Sequence, residues 1–132
     1  MKPRSHHDAD CLSCRWFGED KAVETCGTMA AFKDGFPVTP GHLLIIPKRH
    51  VADGLDLNAQ ELQDSRTLIR RLIERIRLED PSVSGFNIGI NIGESAGQTV
   101  MHAHIHLIPR RDGDTDDPKG GVRGVIPGKR GY

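Results

Sequence analysis

The 132-residue sequence lacks the features that mark several large classes of protein. Its 18 basic residues are balanced by 18 acidic residues. A surface for a nucleic-acid polymer needs an excess of basic side chains, so this balance argues against one. No apolar run approaches the length that spans a membrane, and the first ten residues lack the apolar core of a signal peptide. We therefore expect a cytoplasmic protein whose partners include neither nucleic acid nor membrane.

Aromatic residues and cysteines are also scarce. Aromatics make up 5% of the chain, so the core must consist mainly of Leu, Ile and Val. Three cysteines are an odd number and a poor disulfide framework. Cys11 and Cys14 form a C-x-x-C pair, which by itself fits a zinc site, a redox pair or chance. Cys26 stands alone and is most simply a small buried hydrophobic residue.

Apolar periodicity predicts one long helix among several strands. Asn58 followed by Glu61 resembles a capping box, and Pro81 ends the pattern. Strands are predicted within 21–32, 42–47, 85–93 and 99–109, of which the last two should pair antiparallel because the link between them is short. The predicted class is α+β. The apolar face of the helix, of about five turns, should contain Leu62, Ser65, Ile69, Leu72, Ile73 and Ile76.

Residues 102–108, "HAHIHLI", are the most unusual stretch. On a strand, the alternation puts His102, His104 and His106 on one face and the apolar residues on the other. Such a face fits a polar surface that is histidine-rich by chance, a metal site, or an imidazole that attacks phosphorus. In the last case a backbone carbonyl holds one ring nitrogen as N–H and leaves the other free.

The loop just upstream, "GESAGQT", favours phosphorus. Its glycines allow the backbone to approach a ligand closely, and Gln98 and Thr99 add polar groups. Backbone amides and short polar side chains suit a phosphate better than a metal, which would require acids or cysteines nearby.

The segments "GQTVMHAHIHLIPR", "AFKDGFPVTPGHLLIIPKRH" and "GFNIGINIGESAG" resemble the histidine triad (HIT) family over most of residues 11–111. The resemblance implies a HIT domain over 11–111, with a five-stranded antiparallel sheet and one long amphipathic helix, usually as a homodimer. Residues 1–10 are then a disordered tail and 112–132 an extended arm. Members are nucleotide hydrolases or transferases that attack the α-phosphate of purine nucleotide conjugates, either phosphoramidates or diadenosine polyphosphates.

Carried over by position, the resemblance makes His104 the nucleophile of a nucleotidyl-histidine intermediate. His106 then bonds the phosphate or leaving-group oxygen, and His42 is a structural hydrogen-bonder. No metal is required for catalysis. The remaining implied nucleotide contacts are Gln98 and Thr99 to the phosphates, Asp34 to the ribose, Phe32 to the base, and Asn91 to phosphate and ribose.

Family members that begin with a Cys pair also imply a structural zinc ion. Its ligands here would be Cys11, Cys14, His50 and His102, a closed set with no position for substrate. The alternative is that His50 caps a turn and the cysteines stay reduced.

Two further functions remain open at this point: a zinc-stabilised nucleotide-binding module with little turnover, and a metal-dependent hydrolase that uses the three histidines together. The arm is unexplained by the motif. Its cations are expected to be a solvated surface or a dimer contact, and less simply a site for a second phosphate group. They are Lys119, Arg123, Lys129 and Arg130.

Overall fold

Five strands form one antiparallel sheet in the computed structural model, which describes residues 11–131. The sheet order is β1-β2-β3-β5-β4. The α+β class and the five-stranded antiparallel sheet are thus confirmed, while the tail predicted at 1–10 lies outside the described residues. The elements are α1 (Leu12–Gly18), β1 (Glu24–Cys26), β2 (Met29–Lys33), β3 (Leu43–Pro47), α2 (Ala59–Glu79), β4 (Val83–Gly89) and β5 (Ile105–Arg111).

The long helix α2 begins at the predicted capping box. Asn58 Oδ1 accepts from the Glu61 backbone N–H at 2.8 Å, and the Glu61 carboxylate accepts from the Asn58 N–H at 2.9 Å. The same carboxylate bonds the Arg49 guanidinium, which allows it to be buried. The buried face includes Leu68 and Leu72, whereas Leu62 is 53% exposed. Placing Leu62 on the buried face was therefore wrong, because that face runs through Glu61 and Ser65 instead.

The two faces of the sheet are covered by different helices. α2 packs on a larger core that includes Ile45, Ile105 and Leu107. On the opposite face, Trp16 and Phe17 of α1 pack on a smaller core around Phe32. The sequence does not predict α1, because seven residues are too few for a periodic pattern and no side chain caps the helix. Among the described residues, no helix combines the length and apolarity needed to cross a membrane.

The last two strands are displaced from their predicted positions. β4 ends at Gly89, so Ile90 and Ile92 lie beyond it and are more than a third exposed. β5 begins only at Ile105, so the first two triad histidines precede the strand. Pro109 lies inside β5 rather than ending it. The β3–β5 ladder stops at the pair Leu43–Leu107, so Pro109 needs no N–H for that neighbour.

Residues 112–131, predicted as part of an extended arm, include a 3-10 helix at Gly121–Val125. The segment folds back on itself. Gly120 has φ +89°, and a Cβ there would overlap the carbonyl oxygen of Arg130. Gly121 lies beside the Asn87 side chain of β4, so this part of the chain packs against the β4–β5 pair.

Candidate active site

The register of β4 and β5 brings two polar faces together, as the alternation predicted. Gly89 lies opposite His106, and Asn87 lies opposite Ile108. Ala103, Ile105 and Leu107, at the alternate positions, are buried in the larger core. The side chains on the polar face thus share one surface of the sheet.

His102 is separated from the other triad histidines by its partners. Its side chain is fully buried, and Nε2 lies 2.8 Å from the Pro47 carbonyl oxygen. A carbonyl only accepts, so Nε2 is the N–H donor and Nδ1 of the neutral ring carries a lone pair. Burial lowers the pKa of His102 to about 4, which keeps the ring neutral.

The Nδ1 lone pair of His102 faces three other metal-ligand side chains, Cys11, Cys14 and His50. We call these four residues the Cys–His cluster; their donor atoms all lie within 4.8 Å of one another. Sγ of Cys11 and of Cys14 lie 3.3 and 3.4 Å from His102 Nδ1, and Cys14 Sγ lies 3.3 Å from His50 Nδ1. In a tetrahedral zinc site, a sulfur ligand and a nitrogen ligand lie about 3.5 Å apart. The donor set and its spacing fit zinc.

His104 is oriented by the backbone of the cluster residue before it. Its Nδ1 lies 2.8 Å from the His102 carbonyl oxygen and therefore donates to it. In the neutral ring Nε2 then carries no proton, and its lone pair is free to act as a nucleophile. The His104 ring centroid lies 5.2 Å from that of His106.

The tautomer of His106 is set by a second hydrogen-bond chain. The Val38 N–H donates to His42 Nδ1 at 3.2 Å, so His42 Nε2 carries the proton. That nitrogen lies 2.9 Å from His106 Nδ1, which must accept, and His106 Nε2 is then the remaining donor. Burial lowers the pKa of both His42 and His106, which favours these neutral forms. We call His42, His104 and His106 the histidine network.

Metal-ligand geometry does not unite the triad. Asp34, His42 and His106 have donor atoms close together, but the two imidazoles already share a hydrogen bond, with the Asp34 carboxylate 3.4 Å from His42 Nε2. Among residues 11–131, no donor group joins His102 with both other triad histidines. The arrangement divides them between two sites.

A cavity of about 500 Å³ opens beside His106. Its wall is formed by the sheet, by the loop that follows β4 and by the folded-back C-terminal segment. His104 does not line it, so the cavity lies on the His106 side of the pair. Polar and charged residues that line it are His42, Asn87, Asn91, His106, Arg110, Thr115 and Arg130.

The predicted nucleotide contacts are not all available in this arrangement. Phe32 is 2% exposed beneath Trp16 and Phe17, so its ring is covered and presents no face to a base. Asp34 bonds the Phe36 N–H through Oδ1 and lies beside His42 through Oδ2. The ring of Phe32 is buried because α1, which the sequence did not predict, packs over it.

Gln98 is buried, and its side chain bonds both its own loop and the segment that follows β3. Its Oε1 accepts from the Gly93 N–H, and its Nε2 donates to the carbonyls of Ala52 and Val100 at 2.8 and 3.1 Å. Both amide protons are thus used, and the side chain shapes the loop instead of offering a free donor to phosphate. Thr99, next to it, is exposed.

Trp16 was absent from the predicted site, and Arg130 was one of four cations expected mainly on a solvated surface or at a dimer contact. Trp16, the single tryptophan of the chain, is half-buried over Phe32, and its rarity was a usable signal. Arg130 lines the cavity only because the C-terminal segment folds back, and nothing in the local sequence predicted that.

The sequence is similar to one known family and to several named proteins. The sequence model of one family, described as the HIT domain, matches residues 18–113. A bis(5'-nucleosyl)-tetraphosphatase (asymmetrical) of Schizosaccharomyces pombe is 45% identical over 85 residues, 64% of this chain and 46% of that protein. The chain thus spans about half the length of this relative. An adenosine 5'-monophosphoramidase of Saccharomyces cerevisiae is 37% identical over 109 residues, 80% of this chain and 65% of that protein.

Solved structures share the fold. A zinc-bound histidine triad family protein from Mycobacterium smegmatis superposes with a TM-score of 0.72 at 32% identity, covering 80% of this chain and 78% of that one. A HIT family protein from Bacillus anthracis gives 0.73 at 34% identity, covering 80% and 77%.

Proposed function

The chain belongs to the HIT family, and we propose that it is a nucleotide hydrolase or transferase that attacks the α-phosphate of purine nucleotide conjugates through His104. The proposal rests on the hydrogen bonds that fix the tautomers of His104 and His106. The His102 carbonyl leaves a lone pair on His104 Nε2, and His42 leaves an N–H on His106 Nε2. Nucleophile and donor lie side by side.

In the first step the His104 Nε2 lone pair forms a bond to the α-phosphorus, and the bond from phosphorus to the leaving group breaks. The imidazole keeps its Nδ1 proton and becomes cationic, and the hydrogen bond to the His102 carbonyl stabilises that charge. His106 Nε2–H donates to a phosphate or leaving-group oxygen. A phosphate leaving group departs as an anion, with the electron pair of the broken bond. The nitrogen of a phosphoramidate takes up a proton from solvent and departs as ammonia with the same electron pair.

In the second step water attacks the nucleotidyl-histidine. The water oxygen bonds to phosphorus, the P–N electron pair returns to His104 Nε2, and a proton is released to solvent as the product phosphate ionises. The neutral imidazole is restored with its proton still on Nδ1. An acceptor other than water would make the same intermediate serve transfer.

The nucleoside is proposed to bind on the α1 side of the site. Asp34 lies within the loop after β2 and offers a carboxylate to the ribose hydroxyls, while Asn91 and Thr99 border the phosphates. The base is proposed to stack on the half-buried ring of Trp16, which lies over Phe32.

We also propose that the Cys–His cluster holds one zinc ion with a structural role. Four protein donors fill a tetrahedral site and leave no position for substrate. The His102 Nε2–H bonded to Pro47 is the kind of outer contact that fixes a ligand's ring orientation.

A homodimer is proposed on the exposed outer edge of β4, which ends the sheet. Ile88, Ile90 and Ile92 are exposed near this edge, and an unpaired edge with apolar neighbours favours pairing with a second copy. Sedimentation equilibrium at micromolar concentration tests it, and a mass of one chain would contradict it.

The experiment for the central proposal follows the covalent intermediate. Purified protein is mixed with adenosine 5'-phosphoramidate, quenched in a denaturant at neutral pH within the first turnovers, and analysed by intact mass and peptide mapping. We expect one adenylyl group on His104 and release of AMP on longer incubation. His104→Ala should form neither adduct nor product.

Turnover without any adduct in the wild type, or equal turnover by the His104→Ala variant, would reject the proposed chemistry. Tight nucleotide binding with no turnover would instead support the binding-module alternative.

A further inference from the structure

We propose that the cavity beside His106 binds the anionic leaving group of a dinucleoside polyphosphate, and that Arg130 is the residue that selects it. The inference deepens the proposed function and rests on it. It concerns the part of the substrate that lies beyond the α-phosphate, and it gives the C-terminal segment a role in the site.

The cavity lies on the side of the site where a leaving group must depart. An in-line displacement puts the leaving group opposite the attacking atom. His106, the proposed donor to the leaving-group oxygen, lines the cavity, whereas His104, the proposed nucleophile, does not. A volume of about 500 Å³ exceeds what ammonia or a small amine needs and suits a chain of phosphates.

Two arginines line this cavity, and their surroundings differ. Arg110 is paired with a carboxylate: its Nε and Nη2 donate to Asp114 at 2.8 and 2.7 Å, and its Nη1 donates to Asn87 Oδ1. Its charge is thus neutralised within the protein. Arg130 has no hydrogen bond or ion pair with any residue from 11 to 131, although it is half-buried. A half-buried cation without a partner is a site for an anion.

The rest of the lining agrees with a polyanion. None of the described residues that line the cavity is an aspartate or glutamate. Asp34 and Asp114 face His42 and Arg110 respectively, and Asp117, which lines a neighbouring cavity together with Arg130, forms no ion pair with it. Asn87, Asn91 and Thr115 add neutral polar groups. The Arg130 guanidinium therefore supplies the uncompensated positive charge of the cavity.

The C-terminal backbone is shaped to hold Arg130 there. Gly120 passes so close to the Arg130 carbonyl that no side chain would fit, and a Cβ at Gly124 would lie 3.6 Å from Arg130 Cδ. The arginine stem thus packs along the 3-10 helix at Gly121–Val125. Of the four cations in the segment, Arg130 alone is among the residues that line the cavity.

The test compares two substrates and two matched variants. Adenosine 5'-phosphoramidate carries no phosphate in its leaving group, whereas diadenosine tetraphosphate carries three. We measure kcat/KM for both with the wild type, Arg130→Gln, Arg130→Lys and Lys129→Gln. Lys129 is an adjacent exposed cation that does not line the cavity.

We expect Arg130→Gln to lower the ratio of kcat/KM for tetraphosphate over phosphoramidate by about tenfold, the range for a lost hydrogen bond to a charged group. Arg130→Lys should restore part of the ratio, and Lys129→Gln should leave it within twofold. An unchanged ratio in Arg130→Gln would overturn the inference, as would an equal fall in Lys129→Gln.

The inference and the proposed function fail separately. If the wild type cleaves the phosphoramidate but not the tetraphosphate, the leaving-group site is rejected and the proposed function stands. If it cleaves neither, the proposed function itself is rejected. Circular dichroism of each variant shows whether it is folded, so that a change in the kcat/KM ratio is not caused by partial unfolding.

Discussion

The Cys–His cluster and the histidine network use the same side chain for opposite purposes. In the cluster, the free lone pair of His102 points inward at two cysteines, in a buried and closed group. In the network, His104 and His106 are only half-buried, and their remaining nitrogens are free for a substrate. The comparison teaches that the partner of one ring nitrogen determines what the other can do.

The two sites also differ in what they stabilise. The cluster connects α1, the end of β3 and the segment before β5, so it holds together parts distant in sequence. The network lies on one surface of the sheet, where the β3–β5 ladder already brings His42 and His106 together, so its hydrogen bonds mainly set the orientation of the rings. We therefore expect damage to the cluster to affect stability first and damage to the network to affect rate first.

The largest effect should come from breaking the cluster. Cys14→Ser removes a buried ligand, and we expect the free energy of unfolding to fall by about 4 kcal/mol, a drop of roughly 10 °C in Tm. Cys26→Ser is the matched control, since Cys26 lies outside the cluster, and should change stability by about 1 kcal/mol or less.

Metal analysis accompanies the thermal unfolding measurements. The wild type and Cys26→Ser should retain one zinc per chain, and Cys14→Ser should lose it. If Cys14→Ser were inactive at a temperature where circular dichroism shows it folded, the two sites would not be separable in the way this comparison requires.

A smaller effect should follow from His42→Gln in the network. His42 holds the proton position of His106, so the variant should lower kcat by about 10–100-fold, as loss of comparable orienting contacts does. KM should change less than kcat, because His42 acts mainly through His106. Steady-state kinetics with the phosphoramidate check this.

An unchanged kcat in His42→Gln would remove the reason for assigning His106 its tautomer. A fall in Tm as large as that of Cys14→Ser would show that the network is structural as well, and the contrast between the two sites would then disappear.

The smallest effect should be the pH dependence of stability contributed by the network. Burial lowers the pKa of His42 and His106 in the folded protein, so the unfolded chain takes up protons first as pH falls. Their contribution is full above about pH 6.5, the ordinary histidine pKa. It is lost progressively as pH falls from there toward the lowered values.

Urea unfolding between pH 7.5 and 5.5 measures this slope in the wild type and in His42→Gln. The variant should show the shallower slope, because it has one fewer buried neutral imidazole. An identical slope would mean that His42 is not the group whose protonation opposes folding.

Sequence alone predicted most of the scaffold and the grouping of residues, but not how each is used. The capping box at Asn58 and Glu61 is local chemistry and was found where expected. The four residues of the Cys–His cluster also came together as predicted. These residues are far apart in sequence, and it was the resemblance to the HIT family that grouped them.

Tertiary packing determines the surroundings that the sequence did not predict for several site residues. Phe32 lies on the predicted strand, yet a short helix without a periodic signal covers it. Gln98 has the polarity expected of a phosphate ligand, and its side chain bonds two backbone groups of its own loop and the carbonyl of Ala52. Arg130 lines the cavity because the C-terminal segment folds back, and the Gly- and Pro-rich sequence of that segment does not predict this.

One feature of the cluster bears on the entropy of the unfolded chain. Cys11 and His102 are 91 residues apart in sequence, and their side chains meet. A metal ion joining them would close roughly two-thirds of the polypeptide into a loop. By analogy with a disulfide of that span, such closure lowers the conformational entropy of the unfolded chain and raises its free energy by about 4–5 kcal/mol. A chain whose three cysteines form no disulfide would thus acquire a long-range cross-link that forms without an oxidant.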